Sequence, residues 1–326
     1  MRSSVPAVQA VRERAEAAIA GTPAGVPGPA DRRTREALDR TWLLTRGLHE
    51  ARNPDTSFEW LGATLAAPLL AAPLSGLDQA SGGIVGDGEF FDTVARAIRA
   101  KGGFALAGHG AWLELGPEWP EWDLAAPVFH PVNMDTLMPL VRQAAERGVP
   151  AIGLAMDALA EPVATRRWEV SPKSRDELSE LVAAAGRPFI LTGVTDPRDA
   201  LIAAEAGVEA IAVTNEWRGG FDAAPPAPHL LPEVLDAVAG AVLVLAGGGI
   251  ASGTDVLRYL ALGADAVLLG RTLLRAAIGG GRDGVELYLD EYRAQLIAAM
   301  VQTGCEDLGQ ITYDCIFEPT FLEGST

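Results

Sequence analysis

Eight short apolar runs, separated by segments of helical period, constrain this sequence more than any other feature. They are Ala67 to Pro73, Phe104 to Ala107, Pro127 to His130, Ala151 to Met156, Pro188 to Leu191, Ala210 to Val213, Ala241 to Leu245 and Ala264 to Leu269. Each is apolar on both faces, the pattern of a strand buried in a parallel sheet with helices covering it. Segments 135–147, 174–185 and 196–206 end at Gly148, Gly186 and Gly207, and glycine just past the last turn is the usual helix stop. A doubly wound sheet would need fewer strands. The pattern predicts an α/β fold, a (β/α)8 TIM barrel. Residues 1–57 read as an N-terminal helical extension broken at 21–29, residues 58–311 as the barrel with its final helix, and 312–326 as a C-terminal tail. The connection 110–126 holds Trp112, Trp119 and Trp122 with two prolines, and irregular structure is expected there.

Charge narrows the partners. The chain has 43 acidic residues against 26 basic ones, a net charge of -17, and no basic run longer than the pairs Arg32/Arg33 and Arg166/Arg167. A polyanion needs a basic face that replaces its counterions, so nucleic acid is excluded as a partner. The uncharged stretches 60–77 and 237–254 approach the length of a membrane span, but Pro68 and Pro73 break one and Gly247 to Gly249 the other. No membrane association is expected. The first twenty residues carry charge where a secretory leader would be apolar, so a cytoplasmic protein is expected. Cys305 and Cys315 read as unpaired thiols without a role, and no metal site is expected.

In a barrel the loops after each strand gather at one face, so site residues belong at the carboxyl ends of the strands. Those positions are 72–76, His109, His130, Asp157, Thr192, 215–222, 247–251 and Gly270 with Arg271. The seventh run leads into Gly-Gly-Gly-Ile-Ala-Ser-Gly-Thr-Asp and the eighth into Gly270-Arg271 at the start of a helix. Either loop alone is explained by a tight strand-to-helix turn. Two of them side by side, with a permanently charged guanidinium fork, suit a phosphate monoester.

On these residues the chain resembles the FMN-dependent α-hydroxy-acid oxidases and dehydrogenases. The resemblance is carried by GGGIASGTDVLRYLALGADAVLLGRTLL and GGGRDGVELYLDEYRAQLIAAMVQTGCEDLGQI, and more weakly by APLLAAPLSG, SPKSRDEL, RPFILTGV and VEAIAVTN. It runs from about Phe58 to Ile311. It implies FMN, with the phosphate held around Gly248, Gly249, Ala251, Gly270 and Arg271. The ring would lie against Ala72, Pro73 and Leu74, with His130 and Thr192 beside it. It also implies a small-molecule substrate and a homo-oligomer.

The chain departs from that pattern where chemistry would occur. The family's Asn-His-Gly-Gly-Arg, with His as base and Arg on the substrate carboxylate, stands here as Asn215-Glu216-Trp217-Arg218-Gly219. Thr192 replaces the family's lysine beside the flavin, and Gly247 replaces an aspartate. Glu216 is the candidate catalytic base if burial, for instance against Trp217, raises its pKa. Arg218 is the candidate replacement cation. Plain solvent exposure of both is the competing reading. Arg166 and Arg167, in a loop that covers the site in this family, could clamp an anionic substrate or simply face water. His109 could line the pocket or cap a strand, and His229 reads as structural. The expectation is a flavin-dependent oxidoreductase with a rewired site, acting on something other than a simple α-hydroxy acid. The alternatives are a catalytically inactive binding or partner protein, or a non-redox enzyme for a phosphorylated ligand.

Overall fold

The computed structural model describes residues 4–160, 168–215, 221 and 223–318. Helices α1 (Ser4–Ile19) and α2 (Pro29–Arg40) open the chain, followed by strand β1 (Trp42–Leu43) and a hairpin of β2 (Phe58–Trp60) and β3 (Ala63–Leu65). The repeating part begins with β4 (Leu69–Ala71), α3 (Leu77–Ala80) and α4 (Asp87–Ala100). It continues through β5 (Phe104–Ala107), α5 (His109–Leu115), β6 (Ala125–Phe129), α6 (Met134–Arg147), β7 (Ile152–Ala155) and α7 (Arg175–Ala185). Next come β8 (Phe189–Thr192), α8 (Pro197–Glu205), β9 (Ala210–Val213), α9 (Ala227–Val238), β10 (Leu243–Gly247), α10 (Gly253–Ala261) and β11 (Ala266–Leu269). Helix α11 (Arg271–Thr303), broken at Gly281, and strand β12 (Ile316–Phe317) complete the chain.

Strands β4 to β11 form a closed, all-parallel eight-stranded barrel in chain order, with β11 paired back to β4. Alternate residues point opposite ways along each strand. Leu70, Leu106, Val128, Ile190, Ala212, Leu245 and Leu268 therefore fill the interior, while Ala71, Phe129, Leu154, Leu191, Val213 and Leu269 join the larger core with the helices. The β2–β3 hairpin plugs the amino end: Trp60 is buried in the interior cluster, its ring edge-on to Phe104 at 5.9 Å. Helix boundaries follow local chemistry. Ser174 and Ser252 make capping boxes with Glu177 and Asp255, and Gly148 and Gly186 close α6 and α7 in the left-handed conformation.

Three features differ from the sequence reading. Segment 110–126 is not irregular throughout. It contains most of α5 and a 3-10 turn (Trp122–Leu124), because Trp112, Trp119 and Trp122 pack on one another and on Phe91 at 4.6–5.5 Å. The seventh barrel strand sits two residues later than its apolar run suggests, ending at Gly247. The N-terminal segment is also no appendage: α1 packs along α11, and β1 pairs antiparallel with β12. No described helix is long and apolar enough to cross a membrane.

Candidate functional site

A cavity of about 420 Å3 opens at the carboxyl end of the barrel, within the range of roughly 300–1,000 Å3 usual for small-molecule sites. One wall is the backbone turn Ala72-Pro73-Leu74 after β4, where the Leu74 N–H donates to the Ala72 carbonyl at 2.9 Å. The next residues are held from behind, because the buried Asp87 carboxylate accepts the N–H groups of Gly76 and Leu77 at 2.9 and 2.7 Å. His130, Thr192, Thr214 and Asp157 line the middle, and Gly247 to Ala251, Gly270 and Arg271 line the far end.

The two glycine loops are adjacent because β10 and β11 pair. The Tyr259 hydroxyl sits 3.1 and 2.9 Å from the Gly247 and Gly248 carbonyls, and Thr272 Oγ1 donates to the Ile250 carbonyl at 2.8 Å. Gly249 has φ +64° and would crowd the α2 backbone at Arg35 with any side chain.

Helix α2 lies over this end, a placement that no local signal in the chain encodes. Both Asp31 oxygens accept from the Arg271 guanidinium. Arg35 donates to the Gly249 carbonyl at 2.6 Å and to Asp255 at 2.8 and 2.9 Å. Asp255 also pairs with Arg258 at 2.6 Å and accepts the Ala251 N–H at 2.9 Å. Burial pushes the Asp255 pKa up, but Arg35, the Ala251 N–H and Arg258 outweigh it and hold the carboxyl below its ordinary value.

Asp157 stands in the 3-10 turn after β7 (Met156–Ala160) and lines the cavity. Its oxygens accept long hydrogen bonds from Thr192 Oγ1 at 3.5 Å and Thr214 Oγ1 at 3.4 Å, and Thr214 Oγ1 accepts the Gly193 N–H at 3.1 Å. Gly193 (φ +81°) makes this approach possible, since a Cβ there would lie 2.1 Å from the Asp157 nitrogen. No described cation pairs with Asp157, and burial pushes its pKa up to about 6 against the weaker opposing hydrogen bonds. A carboxylate titrating near neutrality at the end of a barrel strand has the properties of a general acid or base.

The model of the FMN-dependent dehydrogenase family matches residues 28–174 and 163–318. The chain belongs to that family. The L-lactate dehydrogenase of Xanthomonas campestris pv. campestris (strain B100) is 40% identical over 133 residues, 41% of this chain and 34% of that protein. The L-lactate dehydrogenase of Actinobacillus pleuropneumoniae serotype 5b is 37% identical over 131 residues, 40% of this chain and 34% of its own length. These matches span about a third of the length of the curated relatives. Mandelate oxidase superposes over 95% of this chain and 97% of its own, with a TM-score of 0.78 and 26% identity. A mandelate oxidase variant carrying a C4a-OH-FMN adduct superposes over 94% of this chain and 97% of its own, with a TM-score of 0.78 and 27% identity.

The family's cofactor is FMN, and the cavity residues fit it. Ala72, Pro73, Leu74, His130 and Thr192 would face a ring, and Gly248, Gly249, Gly270 and Arg271 lie together at the other end. There the buried Nε of Arg275, one turn beyond Arg271 on α11, has no hydrogen-bond partner among the described residues. The same residue lines the cavity, and a guanidinium without a described ion-pair partner suits an anion there.

The arrangement revises several individual expectations. Ala251 lines the cavity, but its N–H serves Asp255. Thr192 turns its hydroxyl toward Asp157. His109 sits behind the cavity: its Nδ1 accepts the His130 N–H at 3.2 Å, and its ring stacks on that of His130 at 5.2 Å. It packs behind His130 and does not line the cavity. Trp168 packs edge-on against both rings at 4.7 and 4.9 Å. Arg166 and Arg167 just before it, and Glu216, Trp217 and Arg218, lie outside the described residues. What is described there is the base of the loop, where the Asn215 side chain accepts the Phe221 N–H at 3.0 Å and donates to its carbonyl at 3.2 Å. Among the described residues no group of three or more His, Cys, Asp or Glu could hold a metal.

Proposed function

We propose that this protein is an FMN-dependent oxidoreductase acting on a small organic substrate, with anionic substrates included, other than a simple α-hydroxy acid. The observation that carries the reading is the cavity itself. It combines a flavin-type backbone wall at Ala72 to Leu74 and a cation-rich far end with an enclosed carboxylate between them, Asp157, that no described cation neutralises. Bound FMN supplies the two-electron acceptor that no side chain provides.

The chain's own residues divide the remaining tasks. Gly248, Gly249, Gly270 and the neighbouring arginines anchor the phosphate end. Ala72, Pro73 and Leu74 form a rigid apolar platform that excludes water. Asp157 Oδ1 or Oδ2 takes the proton released from a substrate hydroxyl or amine, and its pKa of about 6 leaves it ionised at neutral pH. Glu216 is the alternative proton acceptor and Arg218 a candidate contact for an anionic substrate. Gly219, standing where the family pattern has its carboxylate-gripping arginine, removes the feature that ordinary lactate or glycolate oxidation requires.

The purified protein should be yellow, or become so on reconstitution with FMN, and lose its visible absorbance when a substrate is added without oxygen. Asp157→Asn is expected to keep FMN and lower kcat by about 10²–10⁴-fold. A colourless, FMN-refractory protein would leave only the inactive or phosphorylated-ligand alternatives. If Glu216→Gln alone abolished turnover while Asp157→Asn kept it, the base would be Glu216.

A further inference from the structure

Resting on the FMN reading, we infer that Arg275 is the principal side-chain ligand of the cofactor phosphate, a role that the phosphate-loop sequence alone would give to Arg271. Arg271 and Arg275 are four residues apart on α11, share one face, and both line the cavity. Their surroundings differ. Arg271 is gripped by both oxygens of Asp31, whose position is fixed in turn by the Gly28 N–H at 2.7 Å. Arg35 is committed to Asp255, Asp39 and the Gly249 carbonyl. Arg32 is exposed and donates to the Pro27 carbonyl at 2.7 Å. That leaves Arg275, half-buried, lining the cavity and paired with no carboxylate among the described residues.

A guanidinium stays charged at any working pH, and on this wall Arg275 pairs with no described carboxylate, so its Nη groups, unlike the enclosed Nε, are the ones left to meet an anion. The carboxylates on the same wall, Asp31 and Glu36, would repel a phosphate if uncompensated. Asp31 is neutralised by Arg271, and Glu36 is exposed to solvent. On this assignment Arg271 acts mainly by holding α2 over the site through Asp31, and Arg275 carries the charge-assisted contact to the phosphate.

The test compares FMN with riboflavin, which has the same ring and no phosphate, by quenching of flavin fluorescence with the full-length protein. Arg275→Gln should weaken FMN about 10- to 100-fold and change riboflavin less than about twofold, with an unchanged melting curve, and Arg275→Lys should recover part of the loss. Unchanged FMN affinity in Arg275→Gln overturns the assignment while leaving the FMN reading intact. Equal loss of both flavins means that Arg275 shapes the cavity and does not bind phosphate, and also overturns it. A wild-type protein that binds neither flavin brings down the FMN reading and this inference together.

Discussion

Asp157 owes its chemistry to what surrounds it. Two threonine hydroxyls at 3.4 and 3.5 Å are weak compensation for lost water, so folding makes its proton harder to remove than in the unfolded chain. The consequence for stability has a definite sign. The rise from 3.8 to about 6 means that the folded state holds its proton more tightly than the unfolded one, so wild-type stability falls as pH climbs from about 4 through 6. The full penalty, on the order of 3 kcal/mol, is present at pH 7. Asp157→Asn removes the titration. Urea unfolding should find the variant more stable than wild type at pH 7 by up to about 3 kcal/mol, and indistinguishable at pH 4. A constant difference across that range would mean that Asp157 is not shifted. The same carboxylate that weakens the fold is the proposed proton acceptor, the usual trade at a functional site. In sequence it was visible only as a strand-end residue, because its pKa depends on Thr192, Thr214 and Gly193, which come from two other strand ends.

At the scale of elements, the barrel strands were legible because each is buried on both faces and so reads as an uninterrupted apolar run. The capped helices were legible because Ser174, Gly148 and Gly186 announce their ends locally. Helix α2 was legible as a helix and not as a wall of the site. Its attachment runs through Asp31, Arg35 and Leu38 to residues more than two hundred positions away, and no local signal encodes that. The α5 turn was missed for a related reason: three tryptophans that look disruptive in sequence become one packed cluster in space. The Arg35–Asp255 pair offers the sharpest probe of the α2 attachment. Asp255 is 2% exposed on its side chain, and Arg35→Ala leaves it with Arg258 as its remaining ion-pair partner. The expected loss at pH 7 is about 1–3 kcal/mol, less than for a buried charge left wholly unpaired. Because the folded pKa of Asp255 is lowered, this stabilisation is present above the ordinary carboxylate range and fades as pH falls below it. Urea unfolding of the variant at pH 7 and near pH 3 should show the difference shrinking with acid.

For the whole molecule, the net charge of -17 hides a local inversion, since Arg32, Arg35, Arg271 and Arg275 all face one cavity. Two of these four come from α2, so the site is shared between the barrel and the segment preceding it. The packing says the same of the fold. Val8, Val11, Ile19 and Leu38 are buried, and α11 accommodates α1 so closely that a Cβ at Gly279 would lie 2.1 Å from the Val11 carbonyl. At about 1.5–3 kcal/mol for each large apolar side chain returned to water, removing α1 and α2 forfeits an amount comparable to the whole stability of a typical domain. It also exposes the apolar face of α11. A chain starting at residue 41 is therefore expected to be insoluble, or to melt without a cooperative transition, and to retain no FMN. The check is a thermal melt followed by circular dichroism beside the full-length protein. A truncated chain that melted cooperatively at the full-length temperature would show that the barrel is autonomous and that α2 only decorates it.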